Sequence, residues 1–278
     1  MTNLKRILVT GASGNIGRHV LQGLKTAGAD VTAFARKPVH GTYSITGDFT
    51  DPAAIARAAD GADSVFLLWP FMSADTAGSV IEILAGRVKR VVYVSAMAVD
   101  DSREPESNGV WGQLEHLIAQ SGLDYTFLRA GGLAVNALGW ADQIKTDSVV
   151  RWPYGEAKRS PVHENDVADV ALKALLTSDL IGARPTLTGP QVLSQADQVR
   201  LIGDAVGREV RWEELPVEDA RQGLLAAWGD ATFVDAALNH WASIVDNPEP
   251  VSHDFEQITG KPARTFAAWA QDHADAFR

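Results

Sequence analysis

Ile7-Leu8-Val9-Thr10-Gly11-Ala12-Ser13-Gly14-Asn15-Ile16-Gly17-Arg18-His19-Val20 decides the fold of this chain. It begins as an apolar strand, passes through a glycine-rich turn and opens a helix. Gly11 lets the chain turn sharply off the strand. Gly14, without a Cβ, lets the backbone approach a phosphate group, and Gly17 lets the helix pack close to the strand. The helix start then directs free N–H groups and the positive dipole end at an anion. A lone glycine triplet would say little; its place after a strand and before a helix makes it a dinucleotide pyrophosphate site. Gly11, Ser13, Gly14, Asn15, Ile16 and Gly17 are the candidate contacts.

Composition narrows the remaining classes. The chain has 278 residues, 46% of them hydrophobic and 22% charged, which is enough apolar material for a real core. Its formal net charge of −10, with no offsetting Lys/Arg cluster, argues against a nucleic-acid partner. It contains no cysteine, which excludes disulfides, thiolate metal sites and a thiol nucleophile. The histidines are scattered without metal-ligand spacing, so no metal is expected, and no Gly-x-Ser-x-Gly elbow occurs. Lys5 and Arg6 lead straight into a strand, and no apolar run is long enough to span a bilayer. A cytoplasmic protein with no membrane partner is the expectation; the oligomeric state is not legible.

Outward from the opening stretch, strands and helices alternate. Strands are expected at Arg6–Val9, Asp30–Ala35, Tyr43–Thr46, Ser64–Leu68, Arg90–Ser95 and Asp124–Arg129. Helices are expected at Asn15–Ala27, Pro52–Ala59 with Asp51 as N-cap, Thr76–Leu84 and Gln113–Gln120. Near-continuous apolar strands between helices mean burial on both faces, hence an α/β fold with a doubly wound parallel Rossmann sheet. Beyond Gly131 the rhythm loosens. Val167–Thr177 reads as a helix packed back on the sheet. Ala196–Val206, Val217–Trp228, Thr232–Ile244 and Arg264–Ala276 read as helices of a smaller, mostly helical substrate cap. The expected division is a dinucleotide-binding domain over 1–155, with helix 164–177 returning to it, and a cap over 156–278.

The residues after the second strand choose the nucleotide. An Asp or Glu there would accept from a ribose 2′-hydroxyl and repel a 2′-phosphate. This chain has Ala35-Arg36-Lys37-Pro38 instead. Arg36 and Lys37 offer a forked guanidinium and an ammonium, so NADP(H) is expected over NAD(H), with no flavin. Asp48 and Phe49 are placed near the adenine, although Asp48 also suits a simple turn. Leu68 and Trp69, and Ser95 at the end of the fifth strand, complete the expected cofactor contacts.

Thr10-Gly11-Ala12-Ser13-Gly14-Asn15-Ile16-Gly17, the Ala35–Pro38 turn, Gly47-Asp48-Phe49-Thr50-Asp51 and Ser121–Arg129 resemble the NmrA-like branch of the atypical short-chain dehydrogenase/reductases. So do Pro153-Tyr154-Gly155, Glu164-Asn165-Asp166-Val167-Ala168, Leu187–Pro190 and Ile258–Phe266, so the resemblance runs the length of the chain. It implies a Rossmann fold and a nicotinamide nucleotide, in a family that holds both reductases and redox-sensing regulators. The chain departs from the wider superfamily at its Tyr-xxx-Lys proton-transfer pair. Alignment through Glu115 and Ser121-Gly122-Leu123 sets Asn108 at the Tyr position and Gly112 at the Lys position. Tyr93, within a strand, reads as core.

Reduction of a quinonoid acceptor is less demanding than that of a ketone, so orientation with one hydrogen bond can serve. Asn108, Asn136, Tyr154 and His163 are the candidate proton donors. Trp69, Phe71, Met72, Met97, Trp111, Trp140, Tyr154 and Trp228 are candidate lining residues for a small aromatic substrate. Three readings stay open: an NAD(P)H-dependent oxidoreductase of an aromatic or quinonoid molecule, a flavin- and metal-free monooxygenase acting through a reduced substrate, and a non-catalytic NADP-binding redox sensor.

Overall fold

The alternation read from the sequence produces one parallel sheet, and the glycine turn stands at its middle. The computed structural model describes residues 5–278. In chain order the strands are β1 (Arg6–Thr10), β2 (Asp30–Ala35), β3 (Tyr43–Thr46), β4 (Ser64–Leu67), β5 (Arg90–Ala96), β6 (Asp124–Ala130), β7 (Val149–Trp152), β8 (Lys158–Arg159), β9 (Thr186–Leu187), β10 (Leu193–Ser194) and β11 (Arg211–Glu214). The helices are α1 (Gly17–Thr26), α2 (Pro52–Ala59), α3 (Ala77–Ala85), α4 (Gly109–Gln120), α5 (Ala141–Asp147), α6 (Glu164–Leu176), α7 (Gln195–Val206), α8 (Val217–Trp228), α9 (Ala231–Asp246), α10 (Asp254–Thr259) and α11 (Phe266–Asp272).

The chain forms two compact units. The first holds the chain up to Gly131 together with Glu164–Leu187 and Asp254–Lys261. Its seven-stranded sheet runs β3-β2-β1-β4-β5-β6-β9, every pair parallel. This is a Rossmann-type α/β sheet whose strand order reverses between β1 and β4. Leu8, Val65, Leu67, Val91, Tyr93 and Phe127 are buried in it, beneath Ile55, Ile81, Leu84 and Leu114 of the helices. Asp51 caps α2 as expected, accepting from the Ala54 N–H at 3.0 Å. The Thr10 hydroxyl fastens the two central strands at their carboxyl ends. It donates to the Phe66 carbonyl at 3.0 Å and accepts from the Leu68 N–H at 2.9 Å.

The second unit holds Gly132–His163, Thr188–His253 and Pro262–Arg278. The units therefore part at Gly131, ahead of the 155/156 division expected from the sequence. The physical reason is pairing: β7 lies beside β11 in parallel, and β8 beside β10 in antiparallel, within the second unit. That unit is also less purely helical than expected, because these short strands are not apolar runs. One core gathers Ile144, Val150, Ile202, Phe266, Trp269 and Phe277, and a smaller one sets Leu224, Val234 and Leu238 against Trp152, Tyr154 and Trp241. The terminal helix, expected over Arg264–Ala276, is α11, started by the Thr265 cap and followed by a 3₁₀ turn over Ala274–Phe277. No helix among the described residues is long and apolar enough to cross a membrane.

Thr10→Val keeps the shape and strands two buried backbone partners. We expect urea unfolding to show a loss of about 1–3 kcal/mol; an unchanged midpoint would mean that the hydroxyl does not fasten β1 to β4.

Candidate functional site at the carboxyl ends of the strands

Gly11, with φ of +61°, lies in the left-handed region and turns the chain off β1. The Gly14 N–H donates back to the Gly11 carbonyl at 2.8 Å. A Cβ on Gly17 would stand 2.1 Å from that same carbonyl oxygen, and one on Gly14 would stand 3.1 Å away. The turn is therefore closed to any side chain at Gly17. The first turn of α1 has no side-chain cap at Ile16, so no side chain competes there for its leading N–H groups. Ser13, Gly14 and Asn15 are exposed, whereas Ile16 is buried and anchors the helix. A backbone cradle with N–H donors and no Cβ fits a pyrophosphate.

The neighbouring strands end in the other expected residues. Arg36 and Lys37 follow β2, are exposed, and make no hydrogen bond or ion pair among the described residues. Asp48 follows β3 and accepts from the Thr50 N–H and the Thr50 hydroxyl. These bonds, reinforced by the charge of Arg36, hold its carboxyl below the usual range. Asp48 is thus built into a turn. Phe49, expected against the adenine, is instead buried, with its ring 5.7 Å from Phe34 and 5.3 Å from Trp69. Leu68 lies over Gly11, where an added Cβ would come within 3.5 Å of its own. Trp69 is half-buried, donates its indole N–H to the Ser73 carbonyl at 2.9 Å and meets Phe71 edge-on at 5.4 Å. Met72 and Trp111 are exposed and Met97 half-buried.

Beyond β5 the structure corrects two assignments. Ser95 is buried, and its hydroxyl donates to Glu115 at 2.6 Å rather than standing open to a ligand. Glu115 takes a forked pair of bonds from Arg129 at 3.0 and 2.6 Å. Arg129 also donates to Asp101 at 3.1 and 2.6 Å, and Asp101 receives Arg184 as well. The bonds to Glu115, and then to Asp101, outweigh burial and hold the Arg129 guanidinium above its ordinary pKa. Hydrogen bonds from Arg129 hold Asp101 below the carboxylate range, against burial and with the charges of Arg129 and Arg184. This network was not read from the sequence. Tyr93 is core, as expected, and burial together with Glu115 holds its phenol well above the ordinary value.

Asn108 does not suit the role of proton donor. Its Oδ1 accepts from the Asp100 N–H at 2.9 Å, and its Nδ2 donates to the carbonyls of Asp100, Arg103 and Glu104. The amide closes the loop between β5 and α4, and α4 consequently begins at Gly109 instead of Gln113. A Cβ on Gly112 would stand 2.2 Å from the Asn108 Cβ and 3.1 Å from the Pro105 carbonyl. The two positions where a Tyr and a Lys would stand thus form one packed joint.

In the second unit, Asn136 is exposed on a 3₁₀ turn, whereas Trp140 is buried edge-on to Trp212 and offers no open face. His163 is only 1% exposed, which removes it as a donor to a bound molecule. Tyr154 is a non-glycine residue with φ of +60°. Glu214 holds it there by accepting the Tyr154 and Gly155 N–H groups, while Gln195 donates to the Pro153 and Tyr154 carbonyls. Trp228 is 40% exposed and packs against Phe233 and Trp241. The sequence also gave no sign of Glu249, which is buried among His240, Arg159 and the Ser160 N–H. No group of three or more candidate metal ligands occurs among the described residues.

Comparison with known proteins agrees with this layout. A family model for NAD(P)H-binding proteins matches residues 11–178. The chain is 34% identical to the (4-alkanoyl-5-oxo-2,5-dihydrofuran-3-yl)methyl phosphate reductase of Streptomyces griseus, over 98% of this chain and 99% of that one. It is 31% identical to the NAD(P)H azoreductase of Xenophilus azovorans over the same shares. The NADPH-dependent quinone oxidoreductase of Escherichia coli shares the fold, with a TM-score of 0.77 at 21% identity, covering 96% of this chain and 98% of that one.

Two outcomes follow. Gly112→Ala costs about 1–3 kcal/mol as overpacking, and most of that cost vanishes in an Asn108→Gly background, where the clashing Cβ is gone. Additive unfolding energies in this double-mutant cycle would show that the two residues do not share a joint. Asp101, depressed in the folded chain, contributes stability above its unfolded value that is lost as pH falls through its folded value. Thermal melts should therefore hold steady above roughly pH 5 and fall below roughly pH 4, less steeply in Asp101→Asn; identical acid limbs would contradict this.

Proposed function

The chain belongs to the NAD(P)H-binding family, and we propose that it is a reductase that prefers NADPH to NADH and acts on a flat, electron-poor conjugated acceptor. The observation that carries the cofactor choice is the free cation pair Arg36 and Lys37 at the end of β2, with no carboxylate in the position that would take a ribose hydroxyl. The acceptor class rests on the relatives, whose names describe reduction of an azo compound and of an unsaturated oxo-furan.

In this reading Ser13, Asn15, Ile16 and Gly17 offer backbone N–H groups and the dipole end of α1 to the pyrophosphate, while Gly11 and Gly14 close the turn on each other. Arg36 and Lys37 take the 2′-phosphate, the guanidinium in a forked geometry. Asp48 borders the adenine with its outer carboxylate oxygen, over the buried Phe49. Leu68 and Trp69 flank the nicotinamide half, and the Ser95–Glu115–Arg129 network keeps the end of β5 rigid. The bound nucleotide supplies an electron pair and a hydrogen to the acceptor. The chain's own contribution is orientation on a preformed sheet edge and the exclusion of water by apolar side chains.

The test measures NADPH and NADH oxidation with a panel of quinones, azo dyes and conjugated enones, and the affinity of both nucleotides. Arg36→Ala should weaken NADPH about 10- to 100-fold, the worth of a charge-assisted bond, and leave NADH nearly unchanged. Equal affinity for the two nucleotides in wild type would overturn the cofactor choice, and no turnover with any acceptor would overturn the reductase.

A further inference from the structure

We infer that Arg18 holds the pyrophosphate of the bound nucleotide and that it serves NADPH and NADH alike. This rests on the nucleotide reading above, and every residue it involves lies in the first unit. Arg18 is the second residue of α1, and its backbone N–H donates to the Gly14 carbonyl at 3.1 Å. Side chains on a helix lean toward its N-terminus. The Arg18 guanidinium is therefore carried back toward the glycine turn rather than along α1.

A second helix marks where it stands. α6 leads into β9, which runs parallel to β6, so α6 begins on the same side of the sheet as α1. The two helices pack closely: a Cβ on Gly23 would stand 2.3 Å from Leu172. At their first turns, Nη2 of Arg18 lies 4.0 Å from Oε1 of Glu164, the first residue of α6. The guanidinium thus stands at the carboxyl ends of the strands, beside the starts of both helices.

Its charge is still open to a ligand there. At 4.0 Å the Glu164 carboxylate is beyond hydrogen-bond reach. Among the described residues the Arg18 side chain donates one hydrogen bond, from Nε to His19 Nε2 at 3.1 Å. That leaves the N–H groups of Nη1 and Nη2 for an incoming acceptor. The side chain is 47% exposed, whereas that of Glu164 is fully buried.

Arg18 also breaks a local rule. The first turn of α1 has no acidic residue, and a cation there meets the positive end of the helix dipole; Lys25, in the last turn, sits at the favourable end. A half-exposed arginine at the unfavourable end of a helix, next to a turn that admits no side chain at Gly17, fits a site whose charge balance is completed by an anion. Pyrophosphate oxygens can accept forked bonds from the guanidinium while the leading N–H groups of α1 bind from the other side. The cations then divide the work. Arg36 and Lys37 read the 2′-phosphate that sets NADPH apart, and Arg18 takes the portion that both nucleotides share.

Calorimetric titration of wild type and Arg18→Gln with NADPH and with NADH tests this. Both affinities should fall about 10- to 100-fold, the worth of a charge-assisted hydrogen bond, with their ratio unchanged. Arg18→Lys should recover part of the loss. Without nucleotide, the melting temperature of Arg18→Gln should hold or rise, because a cation leaves the positive end of α1. Unchanged affinity for both nucleotides overturns the assignment. A loss confined to NADPH also overturns it, since Arg18 would then serve the 2′-phosphate. So does a lower nucleotide-free melting temperature, which would make Arg18 a structural partner of Glu164. A wild-type protein that binds neither nucleotide is a separate failure, that of the nucleotide reading itself.

Discussion

The closeness of Gly17 to the Gly11 carbonyl governs the first unit. There is no space for a side chain between the end of β1 and the start of α1, so the helix begins directly over the strand and its N–H groups gather at one point. The Thr10 hydroxyl fixes the other side of that point by tying β1 to β4, where the strand order reverses. Ligands of open α/β sheets bind at such a reversal. Arg36, Asp48, Leu68 and Trp69 fall in line because each follows the carboxyl end of a strand adjacent in the same sheet.

The same sheet edge explains what α4 has become. A superfamily reductase keeps a phenol and an ammonium on this helix; here Asn108 spends its amide on four backbone groups and Gly112 makes space for it. Next to them, Glu115 and Arg129 form a buried ion pair extended by Ser95, Asp101 and Arg184. Loss of one member of such a pair costs roughly 3–5 kcal/mol, because the other is left charged and dry. The region is thus closed on itself as rigid support, with its polar groups spent on one another. In the second unit, a half-exposed imidazole lies against a buried carboxylate, His240 Nε2 standing 3.0 Å from Glu249.

Much of the first unit was legible because its strands are continuous apolar runs and its turns carry glycine at positions only glycine can fill. The cations after β2 were legible for the same reason: the neighbouring strand fixes where they stand. What escaped depends on contacts distant in sequence. Ser95 meets Glu115 across 20 positions, and His240 meets Glu249 across nine, with Arg159 joining Glu249 across 90. β11 reads Arg-Trp-Glu-Glu and β8 is Lys-Arg, so neither has an apolar period to announce it. Composition could not tell that Trp140 is buried and Trp228 half open, since the same residue type serves both. The absent Tyr/Lys pair was visible, but not that its replacements touch.

On the proposed reading the β1–α1 cradle holds the dinucleotide, and it depends on the closeness at Gly17, where no side chain fits. Titration of wild type and Gly17→Ala with NADPH, followed by calorimetry, tests this most directly. Wild type should bind one nucleotide per chain, and Gly17→Ala should bind it at least about 10-fold more weakly, a loss of ~1.4 kcal/mol or more, while still unfolding cooperatively. Equal affinity in the two proteins would contradict the account.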